Sequence, residues 1–182
     1  LQAARKADIV IPTICDHKDL NPYGACRMCI VEIAGVRGYP TSCTTPAAPG
    51  MQVVTQSARL TELRNRTLEL MFSGHPNSCL VCIHREACEQ YRPKVTKAAR
   101  SPRCGFCANR DECDLRTMAL SAGQNELSLP TLYASYNLER DDPFMDRDYN
   151  LCVLCGRCWR ICEKIHGQPA ISIINRGKWA RI

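Results

Sequence analysis

The segment Leu151-Cys152-Val153-Leu154-Cys155-Gly156-Arg157-Cys158-Trp159-Arg160-Ile161-Cys162 sets four cysteines at spacings of two, two and three residues. Two thiols separated by only two residues point inward from one short loop and suit a shared metal. Disulfide frameworks more often join distant segments. The same grouping recurs elsewhere: the 14 cysteines fall into four local sets separated by long cysteine-free stretches. Metal or cluster ligation in a reducing compartment is therefore the expectation.

Outward from that segment, composition removes several classes. A chain of 182 residues allows one large or two small domains. Hydrophobic residues make up 45% and no charge block is long, which argues against wholesale disorder. No run approaches the roughly 18 apolar residues of a spanning helix. Lys+Arg number 24 against 18 Asp+Glu, for a formal charge of +6. A ligating cysteine is a thiolate, and 14 of them would take +6 to −8. The basic balance is thus weak grounds for a polyanion partner, and no nucleic acid is expected. Nothing resembles a hydrolytic triad, a phosphate loop or G-x-G-x-x-G. Residues 1–7 read as a helix already under way, and 170–174 as a strand before the turn Asn175-Arg176-Gly177. The chain reads as a piece of something longer.

The first set is Cys15, Cys26, Cys29 and Cys43. Asp16, Asn21, Pro22 and Gly24 suit a loop wrapped around a bound object, and 29–34 alternates like a strand, with Gly35 and Gly38 allowing a hairpin. Four thiolates suit a two-iron cluster, although the spacing differs from the plant type and leaves a zinc-stapled loop open. A helix is expected over 57–72, with Leu60, Leu63, Thr67, Leu68 and Met71 at helical spacing, Ser57 as its cap and Gly74 at its end. Its arginines Arg59, Arg64 and Arg66 are expected on a solvated face.

The second set is His75-Pro76, Cys79, Cys82 and Cys88. Taken alone, a histidine before proline is an ordinary loop residue. The third set, Cys104, Cys107 and Cys113, repeats the second 25 residues later, and Arg110-Asp111-Glu112-Cys113 echoes Arg85-Glu86-Ala87-Cys88. Arg100 stands where His75 would repeat, so a fourth ligand is missing; His84, Asp111 or a group outside the chain are candidates. A rival pairing of Cys79/Cys82 with Cys104/Cys107 fits a zinc ribbon but strands Cys88, Cys113 and His75. An extra cluster, zinc and vestigial thiols all stay open for the third set. The fourth set, Cys152, Cys155, Cys158 and Cys162, has the spacing of a bacterial ferredoxin run. There the first three share one cluster and the last serves another. Glu163 follows where that pattern has proline. Small Gly156 is expected to let the backbone approach the cluster, Trp159 to pack or shield, and His166 to mark a helix end.

Ile11-Pro12-Thr13-Ile14-Cys15, Gly24-Ala25-Cys26-Arg27-Met28-Cys29-Ile30-Val31-Glu32-Ile33 and Cys43-Thr44-Thr45-Pro46 together resemble a known ferredoxin domain. It is the [2Fe–2S] domain of the large electron-transfer subunit of respiratory complex I, shared with iron-only hydrogenases, the small diaphorase subunit of NAD-reducing hydrogenases and NAD-linked formate dehydrogenases. In that family two strands precede the helix at 1–7. The resemblance implies a [2Fe–2S] cluster on Cys15, Cys26, Cys29 and Cys43, and a histidine-ligated [4Fe–4S] cluster on His75, Cys79, Cys82 and Cys88. By analogy with Rieske centres, exchanging a thiolate for neutral imidazole should raise the potential. Leu151 to Glu163 also resembles this family, as does Arg140-Asp141-Asp142-Pro143-Phe144 on the approach to that cluster.

The expected fold class is α+β. A [2Fe–2S] ferredoxin-like β-grasp domain would occupy 1–56, and a helical domain with the histidine-ligated site and the duplicated motif 57–123. A linker at 124–149 and the first half of a bacterial-type ferredoxin domain at 150–182 would follow, the whole incomplete at both ends. One [2Fe–2S] and two to four [4Fe–4S] clusters, with zinc as an option, would make this an electron relay with no substrate site of its own. The resemblance implies a cytoplasmic NAD(P)H-linked complex, with a flavin- and NADH-binding subunit on one side and a catalytic hydrogenase or formate dehydrogenase part on the other. A zinc-stapled interaction or nucleic-acid module is the competing class. With four cluster cores of about 2+ each, the formal charge returns to about zero.

Overall fold

The computed structural model describes residues 1–77, 79, 82, 84, 86–87, 90, 107, 109–124, 126–132, 134–144 and 146–182. Arg85, Cys88, Arg100 and Cys104 lie outside the described residues. The elements are α1 (Gln2–Lys6), β1 (Glu32–Ile33), β2 (Val53–Val54), α2 (Ala58–Ser73), α3 (Asp114–Ser121) and α4 (Arg157–Lys164). Short 3₁₀ turns lie at Arg110–Glu112, Tyr149–Leu151 and Gly177–Trp179. Two compact units result: Leu1–Arg64 with Cys152–Ile182, and Asn65–Leu151.

In the first unit, β1 and β2 pair antiparallel, with Glu32 opposite Val54 and Ile33 opposite Val53. The strand expected over 29–34 is thus two residues long. The carbonyls before it are taken by other donors: Cys29 O accepts from the Ser42 N–H at 2.8 Å and Ile30 O from Arg64 Nη2 at 2.7 Å. Gly35 and Gly38 do turn the chain, both at positive φ, and return it to an antiparallel bridge between Ile30 and Thr41. Ile11, Cys29, Val31 and Ile33 form the core, with Leu1, Ala4, Cys43 and Met51 packed against it. The strand expected at 170–174 is reduced to one bridge, Ile174 to Arg181. Ile173 and Ile174 stay exposed, so no buried face rewards the alternation.

Ser57 Oγ accepts the Leu60 N–H at 3.1 Å and donates to Glu32 Oε1 at 2.6 Å, so one hydroxyl caps α2 and ties it to β1. Leu60, Leu68 and Phe72 are the fully buried positions of α2. Arg64 corrects the sequence reading. It falls between Leu60 and Leu68 on the apolar stripe and is only 8% exposed. Its guanidinium donates to the carbonyls of Met28, Ile30 and Thr55 at 3.1, 2.7 and 2.9 Å. Arg59 stays outside, paired with Glu62 at 2.7 Å.

The second unit relies on side chains bonded to backbone. Glu69 accepts from the Ser128 N–H at 3.2 Å, Ser128 Oγ at 3.0 Å and Arg66 at 2.8 Å. Burial alone would raise the Glu69 carboxyl, but these donors outweigh it and hold the pKa below the usual carboxylate range. Asn150 accepts from the Tyr136 N–H at 2.8 Å and donates to Tyr136 O at 2.9 Å. α3 buries Leu115 and Ala119. Among the described residues, no helix is long and apolar enough to cross a membrane.

Candidate metal centres

The first cysteine set lies in the core of its unit. Cys15 and Cys29 have no exposed surface, Cys26 is 7% exposed and Cys43 is half-buried. The loop needs two left-handed residues around Cys26: Gly24 at φ 70° and Arg27 at φ 58°. A Cβ on Gly24 would also meet the Thr44 methyl at 3.1 Å. This backbone turns N–H groups toward sulfur. The Ile14 N–H reaches Cys26 Sγ at 3.5 Å, Ala25 and Cys26 amides face Cys15, and the Gly24 amide faces Cys43. Such N–H groups favour thiolates and tune iron–sulfur potentials.

The thiols meet as two pairs. Cys15 hydrogen-bonds Cys26, which pushes the Cys26 thiol down to about 5, helped by the amides of Ile14, Cys15 and Met28. Cys15, as the donor and in buried surroundings, is pushed up. Cys43 is raised by burial and by its hydrogen bond with Cys29. Among the described residues, no three His, Cys, Asp or Glu side chains form a site for a single metal ion. Two thiol pairs are the donor set that two irons require. Thr13 Oγ1 and Ser42 Oγ, next to this loop's cysteines, are buried with no hydrogen-bond partner, leaving two hydroxyl donors for a buried anionic group. The residues present therefore fit a two-iron cluster.

His75 follows α2 directly and stands edge-on to Phe72, with ring centroids 6.5 Å apart. Its Nδ1 lies 3.0 Å from Pro76 O. A carbonyl only accepts, so Nδ1 donates toward Pro76 O, and the Leu151 backbone also hydrogen-bonds the ring. Burial pushes the imidazole pKa down, which keeps the ring neutral. The Asn77 side chain donates to Phe72 O at 2.8 Å, closing the helix end at the position expected from Gly74. Cys79 is half-buried and Cys82 exposed; their proposed partner Cys88 lies outside the described residues.

In the third set, Cys113 Sγ caps α3 by accepting the Arg116 N–H at 3.5 Å. Cys107 is half-buried, and His84 and Asp111, the candidate fourth ligands, are exposed. Cys104 lies outside the described residues, as does Arg100.

The fourth set winds into α4. Leu154 takes a left-handed conformation at φ 53°, which sends its N–H to Cys152 Sγ at 3.4 Å. Desolvation of that sulfur pushes the Cys152 thiol up, although the residue as a whole is exposed, and the neighbouring Cys155 and Cys158 add to the shift. Cys162 Sγ donates to Gln168 O at 2.6 Å. His166 closes α4, its N–H on Ile161 O at 3.2 Å. Gly156 has a reason of its own in the packing around it. It sits at φ 74°, and a Cβ there would come within 2.9 Å of Trp159 Nε1 and 3.1 Å of Tyr23 Cε1. Trp159 packs edge-on against Tyr23, with centroids 6.0 Å apart.

Two residues around the first site escaped the motif reading. Arg64 was legible from its place on the i, i+4, i+8 stripe with Leu60 and Leu68. Arg160 is 5% exposed and lies between Cys158 and Cys162. It donates to Cys15 O at 2.8 Å and also to Asn21 O, with its guanidinium 4.7 Å over the Tyr23 ring. Nothing local signals that contact, because the partners lie 145 and 139 residues away.

Residues 1–58 match the family described as 2Fe-2S iron-sulfur cluster binding domain. The chain is 33% identical over 178 residues to the NADPH-Fe(3+) oxidoreductase subunit alpha of Geobacter sulfurreducens, covering 98% of this chain and 18% of that protein. It is 32% identical over 183 residues to the NADP-reducing hydrogenase subunit HndD of Solidesulfovibrio fructosivorans, covering 97% of this chain and 27% of that protein. A crystal structure of an NAD+-reducing [NiFe]-hydrogenase in the H2-reduced state superposes with a TM-score of 0.76 at 29% identity, covering all of this chain and 65% of that one. The chain spans about a fifth of the length of the first curated relatives it matches. The chain is thus similar to NAD(P)H-linked oxidoreductase subunits along nearly its whole length, and its residues 1–58 match a 2Fe-2S iron–sulfur cluster binding domain.

Proposed function

We propose that this chain relays single electrons through several iron–sulfur clusters within an NAD(P)H-linked oxidoreductase complex, of the hydrogenase or formate dehydrogenase type. The observation that carries this reading is the buried first site, where two thiol pairs sit under a set of backbone N–H groups. The pairs Cys15/Cys26 and Cys29/Cys43 each suit one iron of a [2Fe–2S] cluster. His75, with Cys79, Cys82 and Cys88, suits a [4Fe–4S] cluster. Cys152, Cys155 and Cys158 suit another, and Cys162 serves a further one. Cys104, Cys107 and Cys113 would hold an extra cluster or zinc. On this reading a [2Fe–2S] ferredoxin domain over 1–56 would be followed by the helical cluster region, a linker and the first half of a [4Fe–4S] ferredoxin domain.

Bound clusters supply reversible one-electron chemistry. The protein supplies ligands, hydrogen bonds to sulfur and exclusion of water. Partners on this reading are a flavin- and NADH-binding subunit and a catalytic subunit or region, in the cytoplasm. Anaerobic purification with iron, acid-labile sulfide and zinc counts, followed by EPR during redox titration, tests the reading. One two-iron signal and at least two four-iron signals are expected. Zinc without sulfide sinks the relay and favours a stapled interaction module.

A further inference from the structure

Two buried arginines hold the loop of the first site from two different helices. Arg64, on α2, donates to the carbonyls of Met28, Ile30 and Thr55. Arg160, on α4, donates to those of Cys15 and Asn21 and lies over the Tyr23 ring. The hydrogen bonds of both arginines among the described residues run to neutral carbonyls. Burying a charge without a counter-charge is costly, and evolution more often pairs it or replaces it by apolar groups. Here two such charges converge on one loop. Cys15 is itself an acceptor of Arg160, and Met28 and Ile30 flank Cys29.

The missing counter-charge is the site itself. Four thiolates around a two-iron core of about 2+ leave about 2−, and one-electron reduction makes it about 3−. Two guanidinium groups would match the oxidised site and favour the reduced one, because the added negative charge would form within the loop whose carbonyls they hold. We propose that Arg64 and Arg160 are positioning residues that form a two-cation clamp on the first site, shaping its loop and raising its reduction potential. This rests on the reading that Cys15, Cys26, Cys29 and Cys43 hold a [2Fe–2S] cluster.

The test uses the complete protein, purified anaerobically, as wild type and as Arg64→Gln, Arg64→Lys, Arg160→Gln and Arg160→Lys. Iron and sulfide are counted first, and the midpoint of the two-iron EPR signal is then titrated with mediators and dithionite. The Gln variants keep donors but lose the charge; their reduction equilibrium should fall about tenfold, equivalent to about 59 mV for one electron. The Lys variants keep the charge and should stay close to wild type. A Gln variant that loses its cluster while its Lys counterpart retains one points the same way, since charge separates them. Wild-type midpoints in both Gln variants overturn the clamp, as do equal losses in Lys and Gln at both positions, which mark a purely structural role. A wild-type protein with no two-iron signal overturns the underlying cluster reading instead.

Discussion

Cys15 and Cys29 have no exposed surface, whereas Cys152 and Cys158, in the same compact unit, stand exposed. The more strictly spaced motif therefore has the more open thiols. Spacing selects ligands, because it is a property of one short loop. Burial is a property of what packs on that loop, and it governs solvent access, dielectric and hence potential. The first set gains burial from the Ile11, Val31 and Ile33 core and from two arginines whose helices lie far along the chain. The fourth set has Trp159 and Tyr23 on one side of its helix start.

The strongest way to break this contrast is to remove ligands. Cys29→Ser should abolish the two-iron EPR signal completely, while Cys152→Ser should remove one four-iron signal and leave the two-iron signal at full height. Loss of both signals in Cys152→Ser would show that the two sites are not independent. The burial difference is next in size. In cluster-free protein, alkylation of Cys158 should run at least about tenfold faster than that of Cys15 and Cys29, because buried thiols react only after local opening. Peptide mapping by mass spectrometry reads the rates, and uniform labelling contradicts the contrast.

The glycines sharpen it further. Gly156→Ala must adopt a positive φ and push against Trp159 and Tyr23, at an expected cost of about 1–3 kcal/mol. Gly24→Ala shares the positive φ, but the Thr44 methyl at 3.1 Å is its one tight contact, so it should cost less. Thermal unfolding of the two variants ranks them, and the reverse order would mean that the Tyr23 and Trp159 packing is loose. The smallest effect belongs to the second unit. The Glu69 pKa is held below its unfolded value near 4.5. Its contribution to stability is present above that value and is lost as pH falls through the folded one. Glu69→Gln should flatten this acid dependence, measured by urea midpoint against pH.

Local elements were well legible in the sequence. The helix expected over 57–72 is α2 (Ala58–Ser73), with Ser57 capping through its own hydroxyl, because cap, stripe and stop all lie within one short window. His166 ends α4 for the same reason. The strands were not. The alternation over 29–34 yields only two paired residues, since its carbonyls serve Ser42 and Arg64, and that competition involves donors outside the segment. The packing around Gly156 was not legible either, because it includes Tyr23, far upstream in the sequence.

By itself, then, the order of residues sorted the thiols and one imidazole into candidate ligand sets, because ligand spacing and helix caps are set by bonds and turns a few residues long. Which thiols are shielded, how they pair, and where the Arg160 charge enters the interior were decided only in three dimensions. Arg160 reaches Cys15 across 145 residues. A contact of that separation depends on the packing of the whole unit, and no local pattern encodes it.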